Sequence, residues 1–422
     1  MSRALDFILA ARRSEIQGLQ QLDTTCELVA KVSQLVHALQ RERGYSNVHL
    51  GSADDQCQDA LDALTAQSKL AEAALLDGFE QPDLNRACAA EKVRLFNHIA
   101  AVIHGLEGLV KLRAAVRRRA LSADESTLAF SRPIAAMLAV VFEAADTASE
   151  PQVTRCLVAL FNMMQGKELA GQERATGVAG FIQGWFSPVL LERLRFLGES
   201  QQRCFETFVD FAPPEALLAW KALAAEPWQG EIERLRQVAV RSSQRQPIPT
   251  SLYQPWFELT TTRIDAFKTI EDELTAELRA QCQRSIAEAS AELDNHRALL
   301  KRLGNLDSNA ASPGTRLYNV QATELESVTG DAMGHQVNRS VLDVVHEQNQ
   351  RLLALHDELA LVRTSLDERK WVERAKGLLM QRHGVNEPEA YRLLQQAAMT
   401  QGVRLLDVAR TLVNKEKNHK RA

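Results

Sequence analysis

Apolar residues recur near the start of the chain at the spacing of one helix face. Val32, Val36 and Leu39 follow one another in steps of four and three, which is the period of an α-helix. The next position on that face is Arg43, and Gly44 follows it directly. The pattern therefore predicts a helix whose core-facing column ends in an arginine.

Two further segments also place an arginine on an apolar face. Arg236 lies one turn after Ile232, and Arg174 belongs to a column made of Leu157, Leu160, Met164, Gly171, Val178 and Phe181. A guanidinium keeps its proton, so burying one requires an anionic or strongly accepting partner. That partner is either a carboxylate of this chain, such as Glu42, Glu168 or Glu173, or a bound anion. Periodicity alone leaves both readings open.

Near the C-terminus the apolar positions alternate in steps of four and three over almost four heptads. The seam consists of Val341, Val345, Gln348, Leu352, Leu355, Leu359, Val362 and Leu366. A seam of this kind predicts a coiled-coil helix over 341–366 and a parallel homodimer. The alternative is a helix that packs on the preceding body. Residues 367–418 then break the heptad and predict three short helices around a small core.

The remaining pattern predicts an all-α protein without strands. Helix-start signals occur at Ser122, which forms a capping box with Glu125, and at Ser149 and Ser187, which precede prolines. We predict a helical domain over 1–303 and a polar linker over 304–340, where small and polar residues cannot bury enough apolar area to fold.

Composition narrows the class of protein. The chain has 422 residues, 45% hydrophobic and 5% aromatic, and a net charge of −4 that hides +5 in residues 367–422 and −9 before them. This split indicates an acidic body and a basic tail suited to nucleic acid. Six scattered cysteines and ten dispersed histidines predict no metal site and no cofactor, and the familiar catalytic motifs are missing, so we expect no enzyme. The absence of a signal peptide or long apolar run predicts a cytoplasmic protein away from membranes.

The C-terminal segment "ERKWVERAKGLLMQRHGVNEPEAYRLLQQAAMTQGVRLLDVARTLV" resembles the ANTAR domain, a three-helix RNA-binding output module. The resemblance rests on the spacing of Ala375-Lys376-Gly377, Glu389-Ala390, Ala398-Met399 and Asp407-Val408-Ala409 over about fifty residues. It implies an RNA contact by Lys376, which lies in the family's run. We predict that Gly377 permits close approach of the RNA and that further contacts come from Lys370, Arg374, Arg382 and Arg404, for each of which a solvated helix face is the alternative. In one departure, Gln395 stands where the family usually has arginine, so that contact is lost or Arg392 replaces it.

The stretches "LVHALQRERGYSNVHLGS" and "GKELAGQERATGVAGF", with the later "IERLR", resemble the NIT domain, which senses nitrate and nitrite. The resemblance covers residues 25–280 and implies two packed four-helix bundles with the ligand between them. It also implies that Arg43, Arg174 and Arg236 form the ligand clamp, with Gly44, Gly171 and Gly177 allowing close approach. Nitrate suits such a clamp, because its planar oxygens match the donor fork of guanidinium.

A NIT domain joined to an ANTAR domain resembles the NasR-type nitrate-responsive antiterminators. The resemblance implies that nitrate or nitrite activates the ANTAR domain to bind a leader-mRNA hairpin, so that polymerase reads through a terminator upstream of nitrate-assimilation genes. Two other classes stay open at this point. A DNA-binding regulator would also carry a basic three-helix tail, and a signalling adaptor would bind protein through the coiled coil.

Overall fold

Thirteen α-helices make up almost all of the chain that the computed structural model describes, which is residues 3–51, 58–80, 89–306 and 335–419. In order they are α1 Arg3–Gly51, α2 Gln58–Phe79, α3 Ala89–Glu107, α4 Leu109–Arg117, α5 Ala123–Thr147, α6 Pro151–Gln183, α7 Pro188–Phe211, α8 Pro214–Ala224, α9 Pro227–Arg241, α10 Tyr253–Leu306, α11 His335–His383, α12 Glu387–Gln401 and α13 Leu405–His419, with a 3-10 turn at Thr250–Leu252. The predicted all-α fold is confirmed.

Capping side chains set most of the predicted helix starts. Ser122 forms a complete capping box with Glu125 at the start of α5, and the Ser187 hydroxyl accepts from the Leu190 amide at the start of α7. At α6 the cap is Glu150 instead of the predicted Ser149. The Glu150 carboxylate reaches the backbone amide of the third helical residue at 2.6 Å, so it satisfies a donor that the first helical turn leaves free.

The helices of residues 3–306 form two bundles that share the long helix α1. On one side α1 packs on α2 and α5, with α3 packed on α5, and on the other it packs on α6 and α10, with α7 packed on α6. A continuous apolar core runs through both bundles, and a smaller cluster around Phe181 and Trp256 extends the second one. Helix α6 lies at the junction, because it contacts α1, α5, α7 and α10.

Helix α5 is long and apolar enough to cross a membrane by length and composition alone, with a mean hydropathy of 1.6 over its most apolar window. More than half of that window is buried inside the protein, where α5 packs on α1, α3 and α6. Its apolar character is that of a core helix.

Helix α11 joins the predicted heptad segment and the first helix of the C-terminal module into one continuous helix. In its described part Leu359, Val362 and Leu366 are buried, and the last two belong to the core of the helical bundles. This part of the seam therefore packs on the two bundles of residues 3–306, which we call the sensor body. This is the alternative to a coiled-coil dimer that the sequence left open. The side chains of the earlier seam positions, Val341 to Leu352, and residues 307–334 of the predicted linker lie outside the described residues.

The C-terminal module packs α12 and α13 against the second half of α11 around a separate apolar cluster. Asn386 caps α12 in a box with Glu389, and the glycines at either end of this helix, Gly384 and Gly402, adopt positive φ angles of 64° and 63°. Left-handed backbone of this kind strains any residue with a β-carbon, so these two glycines fix the turns between the three helices.

Candidate anion-binding site

Arg43 of α1 and Arg174 of α6 face each other across the junction of the two bundles. The guanidinium of Arg174 lies against Gly44, the residue after Arg43. The guanidinium of Arg43 lies against Gly171, about one turn before Arg174. A β-carbon on Gly44 would lie 3.0 Å from Cζ of Arg174, and one on Gly171 would overlap Nη2 of Arg43. The two helices can therefore approach with both arginines between them only because these positions lack side chains.

Arg43 has an internal carboxylate partner. Only 1% of Arg43 is exposed, and its Nη1 and Nη2 donate to Oε1 and Oε2 of Glu168 at 2.5 and 3.1 Å. Glu168 also accepts from Gln40 and Gln172, each at 2.9 Å, and Arg43 donates to the Ser131 hydroxyl at 2.8 Å. This arrangement neutralises Arg43 and fixes both charged groups in place.

Arg174 is as buried, at 4% exposure, but its partners are neutral. Its guanidinium donates to the Thr261 hydroxyl at 2.9 Å and to the backbone oxygen of Gln40 at 3.2 Å, and it lies over the ring of Phe257 at 5.1 Å. Among the described residues, no carboxylate lies within ion-pair distance of it. Burial and, after it, the charge of Arg43 lower the pKa of Arg174 from 12.5 to about 10, while the carboxylate of Asp265 opposes the shift.

Arg236 lies apart from this pair. It is 27% exposed and donates to both oxygens of Glu173 at 2.7 and 2.9 Å, with Glu233 at 3.2 Å. Glu173 also neutralises Arg263 of α10, at 3.4 Å. The structure thus places Arg43 and Arg174 together and Arg236 in a neighbouring cluster, so the role of Arg236 in the clamp stays a prediction from the resemblance.

The buried cations packed along α6 differ in how many carboxylates they are paired with. Arg236 and Arg263 are both paired with the buried Glu173, and the exposed Glu233 also pairs with Arg236. Lys167 and Lys268 are both paired with the buried Glu271, and the half-exposed Asp272 also pairs with Lys268. Arg43 and Arg174 share the single carboxylate of Glu168. Within the described part of the chain, Arg174 therefore has no carboxylate at ion-pair distance, and Asp265 acts on its charge only from farther away.

A cavity of about 10 Å³ lies beside the unneutralised charge, lined by Arg43, Gly44, Asn47, Val48, Gly171, Arg174, Ala175, Val178 and Phe257. Its volume is close to the minimum for one water molecule, whereas a four-atom anion needs several times more. Asn47 lies within α1 and donates to Thr127 at 2.7 Å. Gly177 serves another purpose than close approach to an ion, because a β-carbon there would overlap the indole of Trp256.

The residues predicted to contact RNA differ in exposure. Arg374, Gly377, Arg382 and Arg404 are exposed. Lys376 is buried at 7% exposure between Glu373 and Glu387, at 2.8 and 2.7 Å. These ion pairs raise the pKa of Lys376 even though burial opposes the charge.

Lys370 and its neighbours hold the output module against the sensor body. Lys370 is ion-paired with Asp146 of α5, and Arg369 donates to Oδ1 of Asn162 of α6 at 2.7 Å while lying over Phe161. Arg392, the residue considered as a substitute RNA contact, donates to Glu192 of α7 at 3.0 Å. A cavity of about 1150 Å³ separates the two parts and is lined by Glu168 on one wall and by Arg374 and Lys376 on the other.

Sequence reasoning did not find Thr261 and Phe257, which complete the surroundings of Arg174 from α10, or Asp146 and Asn162, which receive the output helix. Thr261 and Phe257 lie more than eighty residues from Arg174 in the chain. No spacing rule connects residues this far apart, and a hydroxyl or ring on a helix face is ordinary.

An all-helical body with a buried, unneutralised arginine, joined to a small three-helix output module, defines a ligand-responsive regulator in one chain. Residues 34–279 match the family model "Nitrate and nitrite sensing" (NIT), and residues 360–413 match the ANTAR domain. The chain therefore belongs to the NIT family, in the NasR-type form that carries a C-terminal ANTAR domain.

Individual relatives agree with this assignment. The Nitrate regulatory protein of Klebsiella oxytoca is 34% identical over 417 residues, which are 97% of this chain and 94% of that protein. A structure described as the NasR transcription antiterminator superposes with a TM-score of 0.60 at 30% identity, over 99% of this chain and 100% of that one. A 64-residue segment is 41% identical to the Transcriptional regulatory protein PdtaR of Mycobacterium tuberculosis, covering 15% of this chain and 31% of that protein.

Proposed function

We propose that this nitrate-responsive antitermination regulator binds nitrate or nitrite between Arg43 and Arg174, and that binding activates the C-terminal module. The activated ANTAR domain then binds leader-RNA hairpins and allows read-through of a terminator upstream of nitrate-assimilation genes. The observation that carries the proposal is the buried guanidinium of Arg174, which faces a cavity without a carboxylate partner among the described residues. A monovalent oxyanion supplies the missing charge.

The size of the cavity supports a ligand-dependent change of shape. Nitrate does not fit into about 10 Å³, so its binding requires α1 and α6 to move apart where Gly44 and Gly171 meet. Helix α6 also carries Asn162, which holds Arg369 of the output helix. A movement of α6 therefore alters the surface on which α11 rests.

The contacts between the two parts support an output module that is inactive without ligand. Lys370 is occupied by Asp146, and Arg374 and Lys376 face the sensor body across the large cavity. Sequence-specific RNA proteins read exposed loop bases and use basic side chains for phosphates, which requires these groups to be accessible to a hairpin. Opening of this interface frees them.

We also propose that the protein works as a cytoplasmic homodimer paired along α11. The heptad seam supports this, but Val362 and Leu366 are covered by the sensor body in the described state. Pairing along that part of the seam therefore requires α11 to leave the body. Light scattering with and without nitrate tests this: the dimer should be the larger fraction with nitrate, and a nitrate-independent monomer contradicts it.

Calorimetry of the full-length chain with sodium nitrate tests the binding site. We expect Arg174→Gln to abolish binding, whereas Arg263→Gln, which removes an equally buried arginine that has a carboxylate partner, leaves it within about threefold. A terminator read-through assay on leader RNA should then show loss of the nitrate response in Arg174→Gln and Arg43→Ala, with RNA binding retained.

Two further results would contradict the proposal. Unchanged nitrate affinity in Arg174→Gln removes the site, and equal binding of duplex DNA and leader hairpin by the activated protein favours a DNA-binding regulator. A truncated chain without residues 341–422 should still bind nitrate, because none of the cavity-lining residues belongs to that segment.

A further inference from the structure

Glu168 sits at a position where a carboxylate reduces the charge that the anion site offers. Its oxygens accept from both terminal nitrogens of Arg43, while Arg43 lines the small cavity and Glu168 does not. Glu168 is 3% exposed and its carboxylate is held by Gln40 and Gln172 as well. It is therefore a fixed negative charge directly behind one of the two arginines of the site.

From this arrangement we infer that Glu168 is a specificity-determining residue that limits the anion site to monovalent ligands. The inference rests on the proposed binding of nitrate between Arg43 and Arg174. With Glu168 in place, the two arginines and one carboxylate leave a single positive charge, which one nitrate or nitrite neutralises. A divalent oxyanion such as sulfate would leave an unpaired negative charge in the same buried space.

The charge selectivity of the site depends on burial. Arg43, Arg174 and Glu168 are each less than 5% exposed, so water screens their charges weakly. In such surroundings, one unit charge about 4 Å from another changes a binding affinity by several powers of ten, before relaxation of the protein reduces the effect. A buried site therefore distinguishes ligands by net charge, and an uncompensated charge acts against the wrong ligand.

Neutralising Glu168 should change both the strength and the selectivity of binding. In Glu168→Gln the site carries two positive charges, so we expect nitrate to bind at least about tenfold more tightly and sulfate binding to become measurable. Arg43→Gln leaves Glu168 opposite Arg174 with no net charge, and nitrate binding should be lost. The double variant Arg43→Gln/Glu168→Gln restores one positive charge and should recover nitrate binding without sulfate binding.

Calorimetry of the full-length variants with sodium nitrate and sodium sulfate at constant ionic strength measures this series. Glu173→Gln is the matched control, because Glu173 is an equally buried carboxylate of α6 that neutralises Arg236 and Arg263 away from the cavity. We expect its nitrate affinity to stay within about threefold of the parent. Circular dichroism establishes that each variant is helical.

The double variant decides the inference even if Glu168→Gln fails to fold, since it removes both partners of the pair together. Nitrate affinity in the double variant no higher than in Arg43→Gln overturns the inference. If the parent protein binds nitrate through Arg174 but the series does not follow the charge, only the role of Glu168 fails. If instead Arg174→Gln binds nitrate as tightly as the parent protein does, the proposed function itself is refuted.

Discussion

Replacing each arginine of the pair by methionine should change the stability of the unliganded protein in opposite directions. In Arg43→Met, the carboxylate of Glu168 stays buried without its cation, and breaking a buried pair in this way costs about 3–5 kcal/mol. In Arg174→Met, the lost group is a buried charge that has no carboxylate partner among the described residues. Its removal should stabilise the protein.

The magnitude for Arg174 follows from its pKa. Burial and the charge of Arg43 lower it from 12.5 to about 10, which corresponds to about 3 kcal/mol of unfavourable interaction with the charged form. The lost hydrogen bonds to Thr261 and Gln40 and the contact with Phe257 offset part of this. A net gain of about 1 kcal/mol is therefore expected for Arg174→Met without nitrate.

Urea unfolding of the full-length chain, followed by far-ultraviolet circular dichroism with and without sodium nitrate, measures both effects. At nitrate concentrations about a hundredfold above the dissociation constant, the parent should gain about 2.7 kcal/mol and Arg174→Met nothing. The control is Arg263→Met. The pKa of Arg263 is also lowered to about 10, but its removal takes a cation from the buried carboxylate of Glu173, and that cost of about 3 kcal/mol offsets the gain, so we expect no stabilisation. If Arg174→Met is as destabilising as Arg43→Met, Arg174 is neutralised already and the charge argument is wrong.

Three further changes test other parts of the structure. In Gly44→Ala, the new β-carbon overlaps the guanidinium opposite, so calorimetry should show nitrate affinity reduced at least about tenfold with the fold retained, whereas Gly198→Ala, which meets nothing within 4 Å, should have no effect. Asp146→Asn removes the ion-pair partner of Lys370, so read-through without nitrate should rise about fivefold, and an unchanged basal level would show that this contact does not hold the output module. Asn386→Ala removes a helix cap and should lower the free energy of unfolding of the C-terminal module by about 1 kcal/mol, measured by the exchange rates of its amide hydrogens.

The sequence was sufficient to predict the helices, most of their caps and the inward direction of the arginines. These features depend on residues within a few positions of each other, where period and capping rules apply. Arg43 continues the column of Val32, Val36 and Leu39 in the structure as in the pattern, and 1% of it is exposed. The local geometry of the candidate site could therefore be predicted from the sequence.

The neutralisation of each arginine could not be predicted, because it depends on which helices pack together. Glu168 and Arg174 lie on the same helix, yet Glu168 serves Arg43 from a distance of 125 positions along the chain. Arg236, which the resemblance placed in the clamp, is paired with Glu173 instead of facing the cavity. The position of a carboxylate near an arginine in the sequence therefore does not predict which cation it pairs with in the folded bundle.

In the proposed switch, helix α6 carries a change at the anion site to the output module. Arg174 and Asn162 are twelve positions apart on it, or about 18 Å along the axis, and a helix packed on several neighbours moves as a unit. Nitrate bound as proposed favours the separated arrangement of α1 and α6, since the cavity of about 10 Å³ is too small for it otherwise. The contact of Asn162 with Arg369 was formed in the closed arrangement, so the same displacement that admits the ligand weakens it. The size of the closed cavity thus gives the ligand its preference for one state, and this preference is what a switch requires.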